Sequence, residues 1–483
     1  MSAVAPGRPL ARPSGLETAV RPRFRGRELL LLLVVFATLT AGAISLGAEQ
    51  RLLAANLAGG GAVPLLAPAD PGILVAYLGT LLVAHLLLVL SGRRTDQVLL
   101  PTVGLLGGIG LLLMERLPQS LAGNLGGLAQ TQLVWLIIGL AIVTALAVAV
   151  RGDAWLRRYK YTWAATGVGL LLLTFVFGTD VNGARLSLGI GPVNGQPSEL
   201  IKVILVVFFA GYLSENRPLL VEASTRVGPI RLPPVPYLAP MVAMLAMALG
   251  IVVVERDLGA AMLFFVVFLL LLYVATARPS YVVLGVIAFL VGGAVLYRLF
   301  PTVQERIDIW LDPFADANGA GFQVVQALHA FARGGILGTG LGAGLPPIAG
   351  HLPIPALHTD FPLAALGEEL GLVGILAILG LYLVLIERGL RIAASAGDEF
   401  RSLLAAGLSL VIGVQAFILA AGNLKLIPLT GITLPFISYG GSSLLANAVI
   451  VGLLIALSDH GPEIRAPATR RRLDRLRARL GWR

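Results

Sequence analysis

Cysteine is absent from the 483-residue sequence, which excludes disulfides, thiolate nucleophiles and sulfur-ligated metals. Charge is scarce too. Asp, Glu, Lys and Arg make up 13% of the chain, about half the ~25% of an ordinary soluble domain. The five histidines are scattered, with no HExxH or comparable grouping that would build a metal centre. With 57% hydrophobic residues and a mean hydropathy of +0.87, the chain reads as an all-α polytopic membrane protein, and soluble enzyme classes drop out. A net charge of +10 would ordinarily raise nucleic acid as a partner. In so apolar a chain the sidedness of that charge matters more, and no nucleic acid is expected.

A spanning helix needs roughly 20 mainly apolar residues. Twelve stretches qualify, near 28–47, 73–92, 98–114, 132–150, 161–178, 198–214, 236–254, 259–276, 280–299, 362–386, 402–421 and 440–458. The third is the weakest, being short, glycine-rich and interrupted by Pro101. Placing the N-terminus inside puts most of the 36 Lys and Arg in the cytoplasm, as the positive-inside rule requires. An even number of spans returns Arg470, Arg471 and Arg472 to that side. Both termini are therefore expected in the cytoplasm, and the long connection 300–361 outside.

Residues 1–27 are rich in Arg and Pro and too long for the n-region of a signal peptide, so the first span is expected to stay as an anchor behind a disordered basic tail. Residues 459–483 form a second basic tail. Within it Leu473, Leu476 and Leu480 recur at helical spacing among arginines, the pattern of an amphipathic helix on the inner leaflet. Neither a 20–50-residue repeat nor an inverted pair of interrupted helices of the transporter kind is evident.

The outer segments carry the polar motifs. His358-Thr359-Asp360-Phe361-Pro362 ends the long loop at the mouth of span ten. A carboxylate there is costly to keep and is a functional-site candidate. Asp360 can equally serve as a helix N-cap ahead of Pro362. Gln196-Pro197-Ser198-Glu199 starts span six, and Glu199 and Lys202, three apart on one face, should pair; otherwise Lys202 or Arg185 meets an anionic headgroup. Glu255-Arg256-Asp257 is a short turn that either marks the interface or lines a polar cavity. Residues 304–314 mix apolar and charged side chains as an interfacial helix would, with Trp310 as a headgroup-level anchor. A second amphipathic segment, 321–333, is stopped by Gly334 and Gly335. The run Gly338-Thr-Gly340-Leu-Gly342-Ala-Gly344 lacks both the spacing and the preceding strand of a nucleotide loop. Residues 422–443 hold two prolines and several glycines in an apolar background, as a re-entrant, non-helical segment would.

Together these motifs resemble the FtsW/RodA/SpoVE family, the SEDS proteins. The carriers are Asn182-Gly-Ala-Arg185, Gln196-Pro-Ser-Glu199 with Lys202, Asp257-Leu-Gly259, Gly335-Ile-Leu-Gly-Thr-Gly340-Leu-Gly342, His358-Thr-Asp-Phe361, Gly367-Glu-Glu-Leu-Gly371 and Thr430-Gly431 followed by Leu434-Pro-Phe-Ile-Ser-Tyr-Gly-Gly-Ser-Ser443. They run collinearly from about span three to residue 458. The chain looks most like the longer, actinobacterial RodA type, with two N-terminal helices beyond the usual ten.

The resemblance implies a multi-pass protein of the bacterial cytoplasmic membrane that polymerises lipid II into glycan strands at the outer face. It implies a class B penicillin-binding protein as partner, and a role in cell elongation and shape or in division. The family's essential aspartate maps onto Asp360. Two positions depart from the family: Pro355-Ala356-Leu357 stands where Pro-Glu-Ala is common, and the tryptophan usual after Asn-Gly-Ala-Arg is replaced around Ser187. Lipid II donates from an α-linked pyrophosphate to give a β-1,4 product, so a single inverting displacement with one general base suffices. Leaving-group charge on undecaprenyl pyrophosphate must be met by cations, for which Arg185, Arg306, Arg333 and Lys425 are candidates. A divalent cation, Mg²⁺ or Mn²⁺, could bridge Asp360 or Glu369 to the pyrophosphate. Glu199, Lys202, Asp257, His358, Thr359, Ser438 and Ser442 complete the expected substrate contacts. A lipid II flippase, or a non-catalytic scaffold for a penicillin-binding protein, would use the same membrane body but would tolerate Asn at position 360.

Overall fold

The computed structural model describes residues 22–57, 69–118, 126–181, 184–190, 193–222, 225–227, 230–232, 235–255, 257–344 and 352–459. The amphipathic C-terminal segment, most of the basic N-terminal tail and Arg256 lie outside the described residues, as does the side chain of Arg185.

Helices dominate: α1 (Gly26–Leu57), α2 (Pro71–Leu90), α3 (Leu99–Arg116), α4 (Leu128–Ala149), the short α5 (Ala154–Arg158), α6 (Lys160–Phe177), α7 (Pro197–Glu222), α8 (Val235–Val254), α9 (Leu258–Thr276), α10 (Pro279–Leu299), α11 (Pro301–Leu311), α12 (Phe322–Gly334), α13 (Pro362–Ser395), α14 (Glu399–Asn423) and α15 (Gly441–Leu457). Eleven are long and apolar enough to cross a membrane, and the shorter apolar α15 fills the twelfth expected position. Two small antiparallel sheets lie between helices: β1 (Thr179–Val181), β2 (Ala184–Ile190) and β3 (Val193–Gly195) before α7, and β4 (Thr225–Val227) with β5 (Ile230–Leu232) after it. The first occupies the connection between the fifth and sixth expected spans. Its signal was the alternation of Leu186, Leu188 and Ile190.

Helix starts follow from local chemistry. Asp70 caps α2, its carboxylate accepting from the N–H groups of Gly72 at 2.8 Å and Ile73 at 3.1 Å, with Pro71 in the first turn. Asp398 does the same for α14. Pro101 sits in the first turn of α3, where N–H groups lack helical partners, so it does not interrupt that helix. The low hydropathy of α3 has another cause: it is buried for most of its length. Its glycines let neighbouring backbone close in, and a Cβ at Gly110 would lie 2.6 Å from Ile437 O.

The core is organised around α14 and α7, which are buried on most sides. The α14 helix packs against α13, α7 and α9, while α15 lies along α4 and α7. By contrast α10 rests mainly on α9 and exposes Val283, Ile287 and Leu290, as a lipid-facing helix does.

The α13 helix is broken. Gly371 adopts φ 66°, a conformation that costs glycine little. The N–H groups of Leu372 and Val373, released by the break, donate to Gly335 O at 3.0 Å and Ile336 O at 3.1 Å. Thr339 and Gly340 N–H in turn reach the carbonyls of Glu368 and Glu369 at 3.0 Å each. The glycine-rich run 335–340 therefore stitches the broken helix.

At the end of the bundle where α1 begins, an ionic lock joins α1 and α2 to the loop before α3. Glu28 accepts from Arg25 Nη2 at 2.5 Å through one oxygen and faces His85 Nδ1 at 2.7 Å through the other. Arg25 also donates to Thr95 Oγ1 and to Asp96 O, both at 2.6 Å. Arg25, Glu28 and His85 are all buried.

Candidate active site at the mouth of α13

Asp360 closes a tight turn. Its N–H donates to Ala356 O at 2.9 Å, and Ala356 takes the left-handed φ of 55° that the turn requires. The residue at the N-cap of α13 is Phe361, and no side chain bonds the first turn there. Of the two uses the sequence left open for Asp360, the cap is not realised.

The turn is held through its backbone. Asn423 Nδ2 donates to Asp360 O at 2.9 Å, Ser438 Oγ to Thr359 O at 2.7 Å, and Tyr439 N–H to His358 O at 2.8 Å. His358 also stacks on Tyr439 with ring centroids 5.6 Å apart. Its Nδ1 is buried with no hydrogen-bond partner among the described residues, and burial lowers its pKa. Three successive carbonyls are thus fixed, one by the last residue of α14 and two by the segment between α14 and α15, while the carboxylate takes no part in that scaffold.

That segment, 424–440, is non-helical, and residues 434–438 are buried. Such backbone is tolerated at membrane depth because the protein satisfies it. Tyr382 Oη donates to Pro435 O at 2.5 Å, Gln132 Nε2 to Ser438 O at 3.3 Å, and Leu434 N–H to Ser438 Oγ at 2.8 Å. Lys425 and Phe436 take φ of 58° and 67°, the cost of folding a non-glycine chain so tightly.

Among the described residues, Arg306 on α11, 54 residues earlier in the chain, lies within electrostatic reach of Asp360. Burial raises the pKa of Asp360, and both a hydrogen bond with Thr359 and the charge of Arg306 oppose that rise. Burial lowers the pKa of Arg306, while Asp257 and then Asp360 hold its proton on. Asp257 is likewise raised by burial, with Ala260 N–H and Arg306 among the opposing influences. Arg306 Nη1 is anchored on Thr430 O at 3.2 Å. One guanidinium thus serves two carboxylates from different loops. Glu255, two residues before Asp257 in the turn expected to mark the interface or line a polar cavity, is pushed up to about 7 by burial and then by Asp257.

A polar seam continues from Asp257. This residue caps α9 by accepting from Ala260 N–H at 2.9 Å, and accepts from Gln196 Nε2 and Ser198 Oγ at 3.3 Å each. Gln196 N–H donates to Ser442 Oγ at 3.0 Å. Lys202 Nζ meets Glu199 at 2.5 Å and Gln415 Oε1 at 2.7 Å, and is 2% exposed. Glu199 and Lys202 form the ion pair their spacing predicts, and Lys202 is engaged inside the protein. Gln415 passes the contact to Thr433 O at 2.9 Å, tying α7 and α14 to the re-entrant segment.

Other expected contacts lie elsewhere. Arg333 pairs with Glu368 at 3.0 Å. Glu369 pairs with Arg116 and accepts from the N–H groups of Gly342 and Gly344. The glycine run therefore does cradle an anion, but an internal carboxylate two and a half turns below Asp360. Both Arg333 and Glu369 belong to the joint between α3, α12 and α13. Lys425 Nζ donates to Leu311 O at 3.3 Å while its own carbonyl accepts from Trp310 Nε1 at 3.1 Å. Trp310 is thereby docked on the protein, where a headgroup-level anchor was expected. Arg185 pairs by backbone with Asp180 in the β1–β2 ladder. Among the described residues no three His, Asp or Glu side chains converge as metal ligands, so the donor set here does not fit a protein-built Mg²⁺ or Mn²⁺ site.

These elements define a multi-pass membrane protein with a buried acid, served by a distant arginine, at one face of its bundle. The sequence profile of the FtsW/RodA/SpoVE family, described as cell cycle proteins, matches residues 96–462, and the chain belongs to that family. It is 41% identical over 384 residues to the peptidoglycan glycosyltransferase RodA of Mycobacterium tuberculosis, covering 78% of this chain and 81% of that one. It is 37% identical over 441 residues to RodA of Mycobacterium leprae, covering 90% and 91%. A solved chain described under structural coordination of polymerization and crosslinking by a peptidoglycan synthase complex superposes with a TM-score of 0.61 at 29% identity, covering 76% of this chain and 98% of that one.

Proposed function

We infer that this protein is a peptidoglycan glycosyltransferase that polymerises lipid II at the outer face of the cytoplasmic membrane, with Asp360 as general base. The observation that carries the base assignment is that Asp360 is held by its carbonyl, not its carboxylate. Its side chain, bonded to the adjacent Thr359, keeps acceptor capacity for the proton of an acceptor hydroxyl. Burial makes that carboxylate a stronger base than an exposed aspartate, and Thr359 and Arg306 oppose that rise in pKa. The hydroxyl oxygen then attacks the anomeric carbon of the donor, the bond to pyrophosphate breaks, and inversion gives the β linkage. Arg306 is the cation placed to meet negative charge on the departing pyrophosphate. Arg333 and Lys425 are committed to other contacts. His358 and Tyr439 form the wall beside the base. Sidedness follows from the distribution of Lys and Arg, with both termini in the cytoplasm. A class B penicillin-binding protein that crosslinks the product is the partner this reading implies.

The test is polymerisation of labelled lipid II by the purified protein, with its co-expressed partner, for wild type and Asp360→Asn. Glycan from the wild type and none from an equally folded variant supports the assignment. Glycan from both moves the chemistry to the partner, and glycan from neither, with lipid II flipped by both, makes the protein a flippase.

A further inference from the structure

A trough of about 940 Å³ runs between α2 and α4. Its walls include Val75, Gly79 and Val83 from α2, and Ile137, Ala141 and Val148 from α4. The hydroxyls of Thr80 and Thr144, also in the lining, turn back onto Ala76 O and Leu140 O at 2.8 Å each, so they offer the trough no free donor. A Cβ added at Gly79 would meet no atom within 4 Å. The space there is open.

The two helices run in the same direction, and the trough ends where both finish, against Arg93 and Arg151. Arg93 is pinned to Asp459 at 2.7 Å and to Val150 O at 2.8 Å. Arg151 and the neighbouring Arg94 are exposed and form no ion pair among the described residues. From Ile137 to Val148 the trough extends roughly 16 Å along α4, and from Val75 to Leu90 roughly 22 Å along α2, at ~1.5 Å per residue. Both fall short of the ~30 Å hydrocarbon core a partner's spanning helix would have to cross, and the α4 side matches the ~15 Å of one leaflet. An apolar trough one leaflet deep with unpaired arginines at its mouth is complementary in shape and charge to a lipid carrying an anionic headgroup.

We propose that the α2–α4 trough is a binding site for an anionic phospholipid, its acyl chain along Gly79 and Ala141 and its phosphate at Arg94 and Arg151. One wall, α2, lies outside the 96–462 region matched by the family profile and the other, α4, inside it, so the site lies between the N-terminal extension and the family core. The lipid would seal the extension onto the core.

The full-length protein, stripped of lipid in detergent, is offered phosphatidylglycerol and phosphatidylcholine with identical acyl chains, and adducts are counted by native mass spectrometry. The wild type should retain phosphatidylglycerol in preference, by up to about 30-fold if each arginine contributes about fivefold. Arg94→Gln with Arg151→Gln should remove the preference while leaving residual binding of both lipids. Gly79→Leu should fill the open space and lose both adducts, with thermal unfolding showing that it still folds. Equal retention of the two lipids by the wild type would overturn the proposal, as would undiminished phosphatidylglycerol binding by Gly79→Leu. Loss of a co-purifying single-span protein in Gly79→Leu, with lipid adducts unchanged, would overturn it in favour of a partner helix.

Discussion

Two buried acids in this molecule are treated in opposite ways. Glu28 has its carboxylate taken up by Arg25 and His85, and Arg25 spends its remaining donors on the loop before α3. Asp360 has every neighbouring carbonyl fixed by hydrogen bonds while its carboxylate is left to Thr359 and the more distant charge of Arg306. The first arrangement uses charge to hold helices together. The second uses neutral hydrogen bonds to hold a charge in place. A buried acid whose ionic partners are complete is structural, and one whose surroundings are rigid but whose carboxyl is unsaturated is available for chemistry.

The largest effect should come from breaking the second arrangement at its charge. Asp360→Asn should lower glycan synthesis by about 10²–10⁴-fold with no shift in the thermal midpoint, because the backbone bonds of the turn remain. Breaking the first should do the converse. Glu28→Ala leaves Arg25 buried without its acid and should cost about 3–5 kcal/mol of stability. Thermal unfolding in detergent reads this, and activity per folded molecule should hold.

A smaller effect sharpens the comparison. In Arg306→Gln the influence that lowers the Asp360 pKa is gone while burial, which raises it, remains. The base must be deprotonated to act, so the acid limb of the pH–rate profile should move to higher pH, and the plateau should fall by about 10²-fold as the leaving group loses its cation. A pH profile that keeps its position would separate Arg306 from the base. Smallest of all, Ser438→Ala removes the donor to Thr359 O and the acceptor for Leu434 N–H. It should cost about 1–3 kcal/mol, with a lower rate at saturating substrate but an unmoved pH profile.

Much of this was legible in the sequence. Twelve apolar stretches announce twelve helices because membrane spans carry their signal locally, and Glu199 with Lys202 forms a pair that one helical turn dictates. Asp360 is conspicuous because a carboxylate at the edge of an apolar segment is rare. The remainder depended on contacts distant in sequence. Nothing near Arg306 marks it as the companion of Asp360, and nothing in Asn423 or Tyr439 marks them as holders of the turn. The break at Gly371 was hidden because a glycine in an apolar run is ordinary. Only the approach of residues 335–340 shows why the backbone turns there. Arg333, Lys425 and Glu369 were singled out by charge alone, and charge does not reveal which partner is nearer.

The Asp360 turn is anchored by main-chain carbonyls, which are the same whatever side chain stands at that position. Losing the carboxyl should therefore silence the protein without removing it. In a cell that makes both forms, Asp360→Asn copies should occupy the same membrane positions as intact ones and draw on the same limited pool of donor and acceptor strands. Growth should fall in proportion to the share of inert copies, and more steeply than when the gene is merely expressed less: a dominant allele where deletion of one copy would be recessive.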